Sequence, residues 1–364
     1  MTRGIGWYVH HQGAGHLQRA RAVAAALPRP CTILGTLAGL DTSGLDILDL
    51  PDDRPLGGTA AFDGRDGEVE RPEALHYAPL NHPGIRSRMA RIAAWVERTD
   101  PALIVVDVSV EIAFLARLLS VPTLVVRLAG TRTDRPHLEA FRSATRLLAP
   151  FPEALDGASV PDWVRAKTFY AGFLGAPSQP VSETGREIVV VFGRGGAGGD
   201  RAALAAAARS VPDRPWHVLG PVTGSGPVPD NLHLHGWVAD VEARVARAAL
   251  LVGGGGDGLV ALAAAQAKRF ICLPEERAYG EQTEKAAALA RLGAAIVHPG
   301  WPPDAAWPDL VRAGLALDPS VIGGLHSPDA VTDCAAAIEA LARSFEVRPP
   351  APRGTTGCGS STKS

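Results

Sequence analysis

The sequence predicts an α/β protein built from two parallel-sheet domains. Both halves of the chain repeat one order of elements, a short apolar strand, a glycine-rich turn and a helix of small residues, which begins at residue 5 and again at residue 187. The 364 residues correspond to about two domains of ordinary size. Residues 172–186 between the halves, GFLGAPSQPVSETGR, are rich in Pro, Gly and Ser and therefore predict the break between the domains.

The predicted domain organisation follows from this break. Residues 1–175 form an N-terminal Rossmann-like domain and residues 186–327 form a second one, followed by a terminal helix in 328–347 and a disordered tail over 348–364. Ligands of such sheets bind at the carboxyl ends of the strands. The two Rossmann-like parallel-sheet domains are therefore expected to face each other across a cleft.

Composition excludes several classes of protein. A net charge of -2 and a pI near 6.6 argue against a nucleic-acid binder, which normally has a basic excess. The sequence has no apolar run of about 20 residues and no signal-peptide pattern, so a soluble or peripheral protein is expected. The cysteines show neither zinc spacing nor a disulfide framework, which makes a cytoplasmic location the default. They are Cys31, Cys272, Cys334 and Cys358.

The first glycine turn carries the strongest catalytic candidate. A strand over Ile5–Val9 leads into HHQGAGH, and a helix over Leu17–Leu27 follows, so His16 is expected at the carboxyl edge of the sheet. We predict that His16 is catalytic or contacts substrate; the alternative is a helix cap or a solvated residue. The same turn predicts further ligand contacts at His10, His11, Gly13, Gly15 and Arg19, and the resemblance described below assigns these contacts to the acceptor.

The next segment contains two strands, a long loop and a basic helix. Strands are predicted over residues 31–37 and 46–50, and residues 51–83 lose periodicity, which is typical of a lid, a binding loop or an insertion. The following helix has one apolar face and an arginine-rich remainder. Packing on the sheet is the favoured interpretation, and peripheral contact with the inner face of the membrane is the alternative. The arginines concerned are Arg86, Arg88 and Arg91.

Two further strand ends bring polar residues to the same edge. Leu103–Val106 is a fully apolar strand, after which Asp107 or Ser109 is expected to cap a helix that carries Glu111 in its first turn. The strand Thr123–Val126 ends in a loop rich in arginine, which predicts either an anionic acceptor subsite or a solvated loop. From this loop, Arg127 and Arg132 are predicted acceptor contacts, and His137 joins Glu111 as a reserve candidate for a catalytic base.

The second half opens with another strand and glycine turn. The strand Glu187–Phe192 precedes GRGGAGG, and a helix is predicted from Asp200 to about Ser210. Strands over residues 216–219 and 232–235 follow. The turn Gly236–Trp237–Val238 comes next, and Asp240 is expected to cap a helix that reaches Ala249.

The most organised stretch of the chain is Leu250–Val297. It predicts a strand over 250–252, a turn of five glycines, a helix to Ala265, a strand over 270–273, a helix opening near Glu281–Gln282 and a strand over 294–297. Helices over 309–317 and 328–345 complete the chain. Glycines between a strand and a helix expose backbone N–H groups to a ligand, so the turn favours a phosphate or diphosphate; the alternative is a packing device.

This order of glycine turn, helix, strand and Glu–Gln pair resembles the donor half of GT-B glycosyltransferases, and family 28 in particular. The resemblance implies that the terminal helix crosses back to the first domain. The chain departs from the family pattern at Ala261 or Leu262, where an acid is usual, and at Lys285, where Asn is usual. The donor contacts that the resemblance implies are Gly193, Arg194, Gly195, Gly196, Gly236, Trp237, Val238, Gly254, Gly255, Gly256, Asp257, Gly258, Glu281 and Gln282.

The resemblance also implies a reaction. A UDP-sugar would donate its sugar to a small or lipid-linked acceptor with inversion, and no cofactor beyond the substrate nucleotide is expected. His16 is the first choice of base because an imidazole titrates near the working pH, and Arg194 would offset the charge of the diphosphate. The sequence contains no Asp-x-Asp metal motif, so no metal is expected.

Three alternatives stay open. The pattern G-x-G-H-x-x-R also resembles the UDP-sugar hydrolase of pseudaminic acid biosynthesis, in which His16 would activate water. The missing acid near Ala261 is consistent with a protein that binds a nucleotide-sugar without turnover. A nucleotide-sugar epimerase of the same fold is the third alternative, and it would be expected to carry more acidic residues around its donor loops.

Overall fold

The computed structural model describes residues 2–10, 14–54, 72–175, 185–193, 195–196 and 198–346. Their first half forms a seven-stranded sheet in which every pairing is parallel. Its strands are β1 (Ile5–Tyr8), β2 (Cys31–Gly35), β3 (Asp46–Asp49), β4 (Leu103–Asp107), β5 (Thr123–Val126), β6 (Arg146–Ala149) and β7 (Thr168–Tyr170). The order across the sheet is β3-β2-β1-β4-β5-β6-β7.

The second half forms another all-parallel sheet, of six strands. The strands of this half are β8 (Glu187–Val191), β9 (Gly199–Asp200), β10 (Trp216–Leu219), β11 (Val222–Thr223), β12 (Leu232–Gly236), β13 (Ala248–Gly253), β14 (Phe270–Cys272) and β15 (Ile296–Val297). The six-stranded order is β12-β10-β8-β13-β14-β15, and β9 pairs with β11 separately. Strand order reverses beside β1 and beside β8, and such switch points form ligand-binding crevices.

Helices connect the parallel strands. In the first half they are α1 (Ala14–Ala26), α2 (Pro83–Thr99), α3 (Val110–Leu118), α4 (Arg135–Ser143) and α5 (Asp162–Lys167). In the second half they are α6 (Arg201–Ser210), α7 (Val241–Ala246), α8 (Asp257–Ala265), α9 (Glu281–Leu292), α10 (Trp307–Leu315), α11 (Pro319–Gly323) and α12 (Ala330–Ser344). Single 3-10 turns lie at Glu153–Leu155, Ala278–Gly280 and Asp304–Ala306. Among the described residues, none of these helices combines the length and apolar character needed to span a bilayer. The predicted α/β class with two parallel sheets is confirmed.

The two sheets are joined by a shared apolar core. Phe151 and Leu155, which follow β6, are fully buried in one cluster with Ala286 and Leu289 of α9. Burial of apolar surface is the main favourable term in association. The cleft between the sheets is therefore closed at one side by packed side chains.

The last helix, α12, returns to the first sheet and packs on α1. Its residues Ala335 and Ile338 belong to the core that contains Ile5 and Trp7. At its solvent edge Glu339 accepts two hydrogen bonds from Arg29, with Nε to Oε2 at 2.5 Å and Nη2 to Oε1 at 2.7 Å. A bidentate guanidinium–carboxylate pair thus fastens α12 to the N-terminal domain.

The Glu339→Gln variant is expected to lose stability in a pH-dependent way. The hydrogen bond from Arg29, together with Arg343, lowers the pKa of Glu339 from 4.5 to about 2. A lowered carboxyl pKa stabilises the fold above the unfolded value, and this contribution disappears as pH falls from 4.5 towards 2. We expect a loss of about 1–2 kcal/mol in the free energy of unfolding at neutral pH, measured by urea denaturation.

The matched control is Glu97→Gln, an exposed carboxylate on α2. The difference in the free energy of unfolding between wild type and Glu339→Gln should become smaller when the urea denaturation is repeated at acid pH. A difference that stays constant down to pH of about 2 would contradict the linkage.

The structure corrects several predicted elements. The helix predicted to run from Asp240 to Ala249 ends at Ala246, because Ala248–Gly253, buried at every position, form β13 between β8 and β14. Asp240 occupies the N-cap position without a side-chain cap; its carboxylate pairs with Arg244 instead. Helix α4 begins inside the predicted arginine-rich loop, and strand β6 lies where no element was predicted. Residues 55–71 of the predicted 51–83 loop, and the segments 176–184 and 347–364, lie outside the described residues.

Arg88 of the basic helix α2 cannot contact a membrane. It is 1% exposed, its Nη1 donates to the Tyr8 hydroxyl at 2.7 Å, and its Nη2 lies 3.1 Å from the Asp53 carboxylate. Its guanidinium therefore stabilises the end of β1 from inside the domain. Arg86 and Arg91 are exposed.

Candidate functional site

His16 and Asp107 form a buried pair at the carboxyl edge of the first sheet. His16 lies in the first turn of α1, and Asp107 is the last residue of β4, the strand next to β1. The His16 Nδ1 is 3.1 Å from Asp107 Oδ1, and the two side chains are 13% and 0% exposed. Arg19 Nη2, which can only donate, also lies 3.2 Å from Nδ1. When Nδ1 donates to the Asp107 carboxylate, the lone pair of the neutral ring lies on Nε2. The pair therefore presents a potential proton acceptor.

Asp107 is held as an anion. Burial alone would raise its pKa, but the charges of Arg19 and His16 and the hydrogen bonds from both lower the pKa to about 2. Arg19 Nη2 donates to Asp107 Oδ2 at 3.2 Å. Asp107 is thus ionised at any ordinary working pH, and it can fix the orientation of the imidazole and stabilise its protonated form.

The backbone after Asp107 is strained. Val108 has a φ of 58°, a left-handed conformation that is rare for a β-branched residue. The next residue, Ser109, accepts a hydrogen bond from the backbone N–H of Ile112 and caps α3, as predicted. The sharp turn therefore ends β4 with Asp107 directed towards α1 while α3 starts at once, and such strain often accompanies functional sites.

The two reserve candidates have other partners. Glu111 Oε1 accepts the backbone N–H groups of His76 and Tyr77 at 2.6 and 2.8 Å, so its carboxylate anchors the 72–82 loop. His137 is 6% exposed, and its Nδ1 is 2.8 Å from both carboxylate oxygens of Asp134. His137 therefore forms a second His–Asp pair in the first domain.

The arginines predicted to bind the acceptor are engaged within the protein. Arg127 is 2% exposed and donates to both carboxylate oxygens of Asp156, at 3.0 and 2.8 Å. This buried pair contradicts the predicted acceptor contact, because no face of the guanidinium reaches the cleft. Arg132 lies over the Tyr279 ring at 4.7 Å and 3.7 Å from the Glu281 carboxylate, so it links the two domains.

The remaining residues of the first turn stay near His16. The His10 ring is 6.0 Å from the His16 ring, centroid to centroid. Gly15 is exposed, and a side chain there would meet nothing within 4 Å. His11 and Gly13 lie outside the described residues. The surface beside His16 is thus open at Gly15, where an acceptor can approach.

The start of α8 lies across the cleft from this pair, in the domain that is predicted to bind the donor. Gly256 is its N-cap and supplies no side chain, so the helix begins with backbone N–H groups that no side chain caps. Asp257 in the first turn pairs with Lys285, which is fully buried and also donates to the Gly255 carbonyl at 3.2 Å. Burial raises the pKa of Asp257, but Lys285, Arg19 and His16 lower it further than burial raises it. His16 and the helix start are therefore close enough to interact electrostatically across the cleft.

Gln282 supports the glycine turn. Its Oε1 accepts the backbone N–H groups of Gly255 and Glu275, both at 2.9 Å, and the residue is 7% exposed. It therefore clamps the glycine turn through Oε1, and its contact with the donor stays a prediction. The neighbouring Glu281 opens α9 at the cleft. Gly254 comes directly before Gly255, and Gly258 lies three positions after it. A side chain on Gly258 would have no atom within 4 Å.

The two other turns predicted to contact the donor follow β8 and β12 of the same sheet. After β8, the Gly196 N–H donates to the Gly193 carbonyl at 3.2 Å, and Arg194 lies outside the described residues. After β12, Gly236 adopts a φ of 64°, which only glycine reaches without strain. Trp237 is 58% exposed and Val238 is half-buried. An exposed indole at a strand end offers a flat face for a planar ring. Gly195 belongs to the same turn as Gly193.

Asp107 was missed as a functional residue by sequence reasoning. Only a helix cap was considered for it, because no local pattern connects it with His16, 91 positions earlier. The available signal was its position, a carboxylate that ends a wholly apolar strand. Placing β4 beside β1 would have turned that signal into a pairing prediction.

Comparison with solved structures gives the architecture a known counterpart. The kitacinnamycin glycotransferase aligns over 93% of this chain and 99% of its own, with a TM-score of 0.66 at 14% identity. Spinosyn rhamnosyltransferase SpnG, solved with thymidine diphosphate, aligns over 93% and 100%, with a TM-score of 0.65 at 18% identity. MurG of Acinetobacter baumannii aligns over 93% and 100%, with a TM-score of 0.61 at 15% identity.

These comparisons establish the fold of the protein. The two parallel sheets and the overlap with glycosyltransferases across nearly the whole chain show that the protein has the GT-B fold. No protein-family model matches the sequence, and no curated protein matches it significantly. Sequence identities below a fifth leave the activity to be argued from the site itself.

Proposed function

We propose that the protein is a glycosyltransferase that moves a sugar from a pyrimidine nucleoside diphosphate-sugar to a hydroxyl of a small or lipid-linked acceptor. UDP-sugars are the first candidate donors. The observation that carries the proposal is the His16–Asp107 pair facing the uncapped start of α8 across the cleft. The pair supplies a base on one side, and the helix start supplies an anion site on the other.

The reaction is a single displacement at the anomeric carbon. The acceptor oxygen attacks that carbon as its proton passes to Nε2 of His16, and the bond between the carbon and the diphosphate oxygen breaks. The electron pair of that bond leaves with the nucleoside diphosphate. Attack and departure occur in line, so configuration inverts. Asp107 stabilises the imidazolium that forms, which is the role of the carboxylate in other His–Asp pairs.

The donor side supplies charge compensation without a metal ion in this proposal. The positive end of α8 faces the diphosphate in this proposal, and the glycines of the turns after β8 and β13 let the ligand approach the backbone closely. Trp237 offers a stacking face for the base. The binding of thymidine diphosphate by the structurally similar SpnG makes dTDP-sugars the second candidate donors.

The acceptor is proposed to bind beside Gly15 and the 72–82 loop, which Glu111 anchors. A cytoplasmic location remains part of the proposal. Peripheral contact with anionic lipid now depends on Arg86 and Arg91 alone, which are exposed on α2.

A panel of UDP-, dTDP- and GDP-sugars tests the function. Free nucleoside diphosphate is measured with purified protein alone and then with a cell extract that provides acceptors, each with and without EDTA. Release only with extract, insensitive to EDTA, is the expected result. Rapid release without acceptor would instead identify a nucleotide-sugar hydrolase in which His16 activates water. Thermal stabilisation without any release would identify a binding protein.

A further inference from the structure

An ion pair between Glu275 and Arg277 lies on the cleft face of the donor domain. Both residues belong to the loop between β14 and α9, and Arg277 Nη2 donates to Glu275 Oε2. Their side chains are 33% and 35% exposed. The backbone of Glu275 is fixed, because its N–H donates to Gln282 Oε1 at 2.9 Å. A rigid backbone thus presents two partly exposed, mutually neutralising charges to the cleft.

This pair sits between the two glycine turns of the donor domain. A Cβ placed on Gly196 would overlap Glu275 Oε1 and lie 3.0 Å from Glu275 Cδ, and one on Gly254 would lie 3.7 Å from the same carbon. A Cβ on Gly195 would lie 3.2 Å from Arg277 Nη2. The carboxylate and the guanidinium therefore rest against the backbone of the glycine turns, and at Gly196 a side chain would overlap the carboxylate.

The space over bare glycine turns is where the proposed function requires the diphosphate. A carboxylate and a phosphate share the features that matter there, a negative charge and oxygen acceptors that fit a guanidinium fork. Two anions cannot occupy one position, and at neighbouring positions they repel each other. Glu275 must therefore either leave or oppose the ligand when a diphosphate arrives.

We propose that Glu275 holds the place of the donor diphosphate in the ligand-free protein, and that donor binding transfers Arg277 from the Glu275 carboxylate to the diphosphate. This inference rests on the proposed function. Arg277 becomes the side-chain counter-charge of the departing diphosphate, and Glu275 becomes an internal competitor that lowers donor affinity. The exchange buries no unpaired charge, because the displaced carboxylate is already one-third exposed and turns into water.

Two charge-neutralising variants of the full-length protein separate these roles. Glu275→Gln keeps the side-chain shape and removes the competing charge, while Arg277→Gln removes the counter-charge. Glu276→Gln is the matched control, since it removes an exposed carboxylate from the same loop. Isothermal titration measures the affinity of each protein for UDP, dTDP, inorganic pyrophosphate, uridine and thymidine.

We expect Glu275→Gln to bind the better nucleoside diphosphate and pyrophosphate about tenfold more tightly than wild type, and Arg277→Gln to bind them about tenfold more weakly. Nucleoside affinity should stay unchanged in both, because the exchange involves the diphosphate alone. Glu276→Gln should match wild type throughout.

Two results would overturn the inference in distinguishable ways. If wild type binds a nucleoside diphosphate and Glu275→Gln binds it equally or more weakly, the exchange is absent while the proposed function survives. If neither wild type nor Glu275→Gln binds any of the three diphosphate probes, the donor site itself is absent and both proposals fall. Equal melting temperatures of the three variants exclude misfolding as the cause of a weaker affinity.

Discussion

Replacing His16 by alanine is expected to lower kcat for sugar transfer by about 10²–10⁴-fold, the usual contribution of a general base. The lone pair on Nε2 disappears, so the acceptor hydroxyl must lose its proton to water during attack. Donor affinity should change little, because His16 belongs to the first domain and the proposed diphosphate contacts belong to the second. Steady-state kinetics with the donor found in the panel, together with titration of the nucleoside diphosphate, measure both quantities.

The control for this variant is His233→Ala, which removes an exposed histidine from the edge strand β12. It should retain wild-type turnover. Near-full turnover by His16→Ala would show that His16 is not the catalytic base. The second His–Asp pair, His137 and Asp134, would then be the next candidate. A loss of donor binding in His16→Ala, with kcat retained, would instead make the residue a ligand contact.

The elements around the cleft could be predicted because their signals are local. An apolar run followed by glycines and alanines, as at β13 and α8, specifies strand, turn and helix within about twenty residues. Helix α4 escaped prediction although Pro136 lies in its first turn, where proline is favourable. The surrounding Arg and Thr residues resembled a solvated loop, and the buried side of the helix is made by distant strands.

The roles of charged residues could not be predicted in the same way, because burial is decided by tertiary partners. Arg127 is neutralised by Asp156, 29 residues further along the chain, and a sequence pattern cannot distinguish this pair from a free basic site. His16 was identified because a histidine beside two glycines is unusual at a strand end. Its partner Asp107 became visible only when β1 and β4 were adjacent.

The same tertiary contacts set the distance between base and donor. Thr131 of the first domain donates its N–H to the Tyr279 carbonyl at 2.7 Å, and His76 Nε2 lies 2.6 Å from the Tyr279 hydroxyl. Tyr279 itself has a φ of 61°, an uncommon conformation for a bulky residue. Tyr279 precedes Glu281 by two residues, so the loops of both domains meet beside the proposed donor site. The contacts between these loops hold His16 opposite α8.

Replacing Asp107 by asparagine is expected to lower kcat by about 10²–10⁴-fold, close to the loss in His16→Ala. Asp107 has a pKa of about 2, so the wild-type residue is an anion across the whole working range. The amide removes that charge, and if its NH2 group donates to Nδ1, the hydrogen of His16 moves to Nε2 and the ring cannot accept a proton. The double variant should be no slower than His16→Ala, because the two residues act as one unit.

The second His–Asp pair provides a matched control for this substitution. Asp134→Asn changes the same group beside His137, whose Nδ1 lies 2.8 Å from the carboxylate. It should leave kcat within about threefold, although it weakens the N-cap of α4 and lowers stability by a fraction of the roughly 1 kcal/mol that such a cap contributes. Kinetics of the two asparagine variants therefore assign the base. A large decrease of kcat in Asp134→Asn with little decrease in Asp107→Asn would assign the base to His137. A large decrease in Asp107→Asn with little decrease in Asp134→Asn is required if His16 takes the proton.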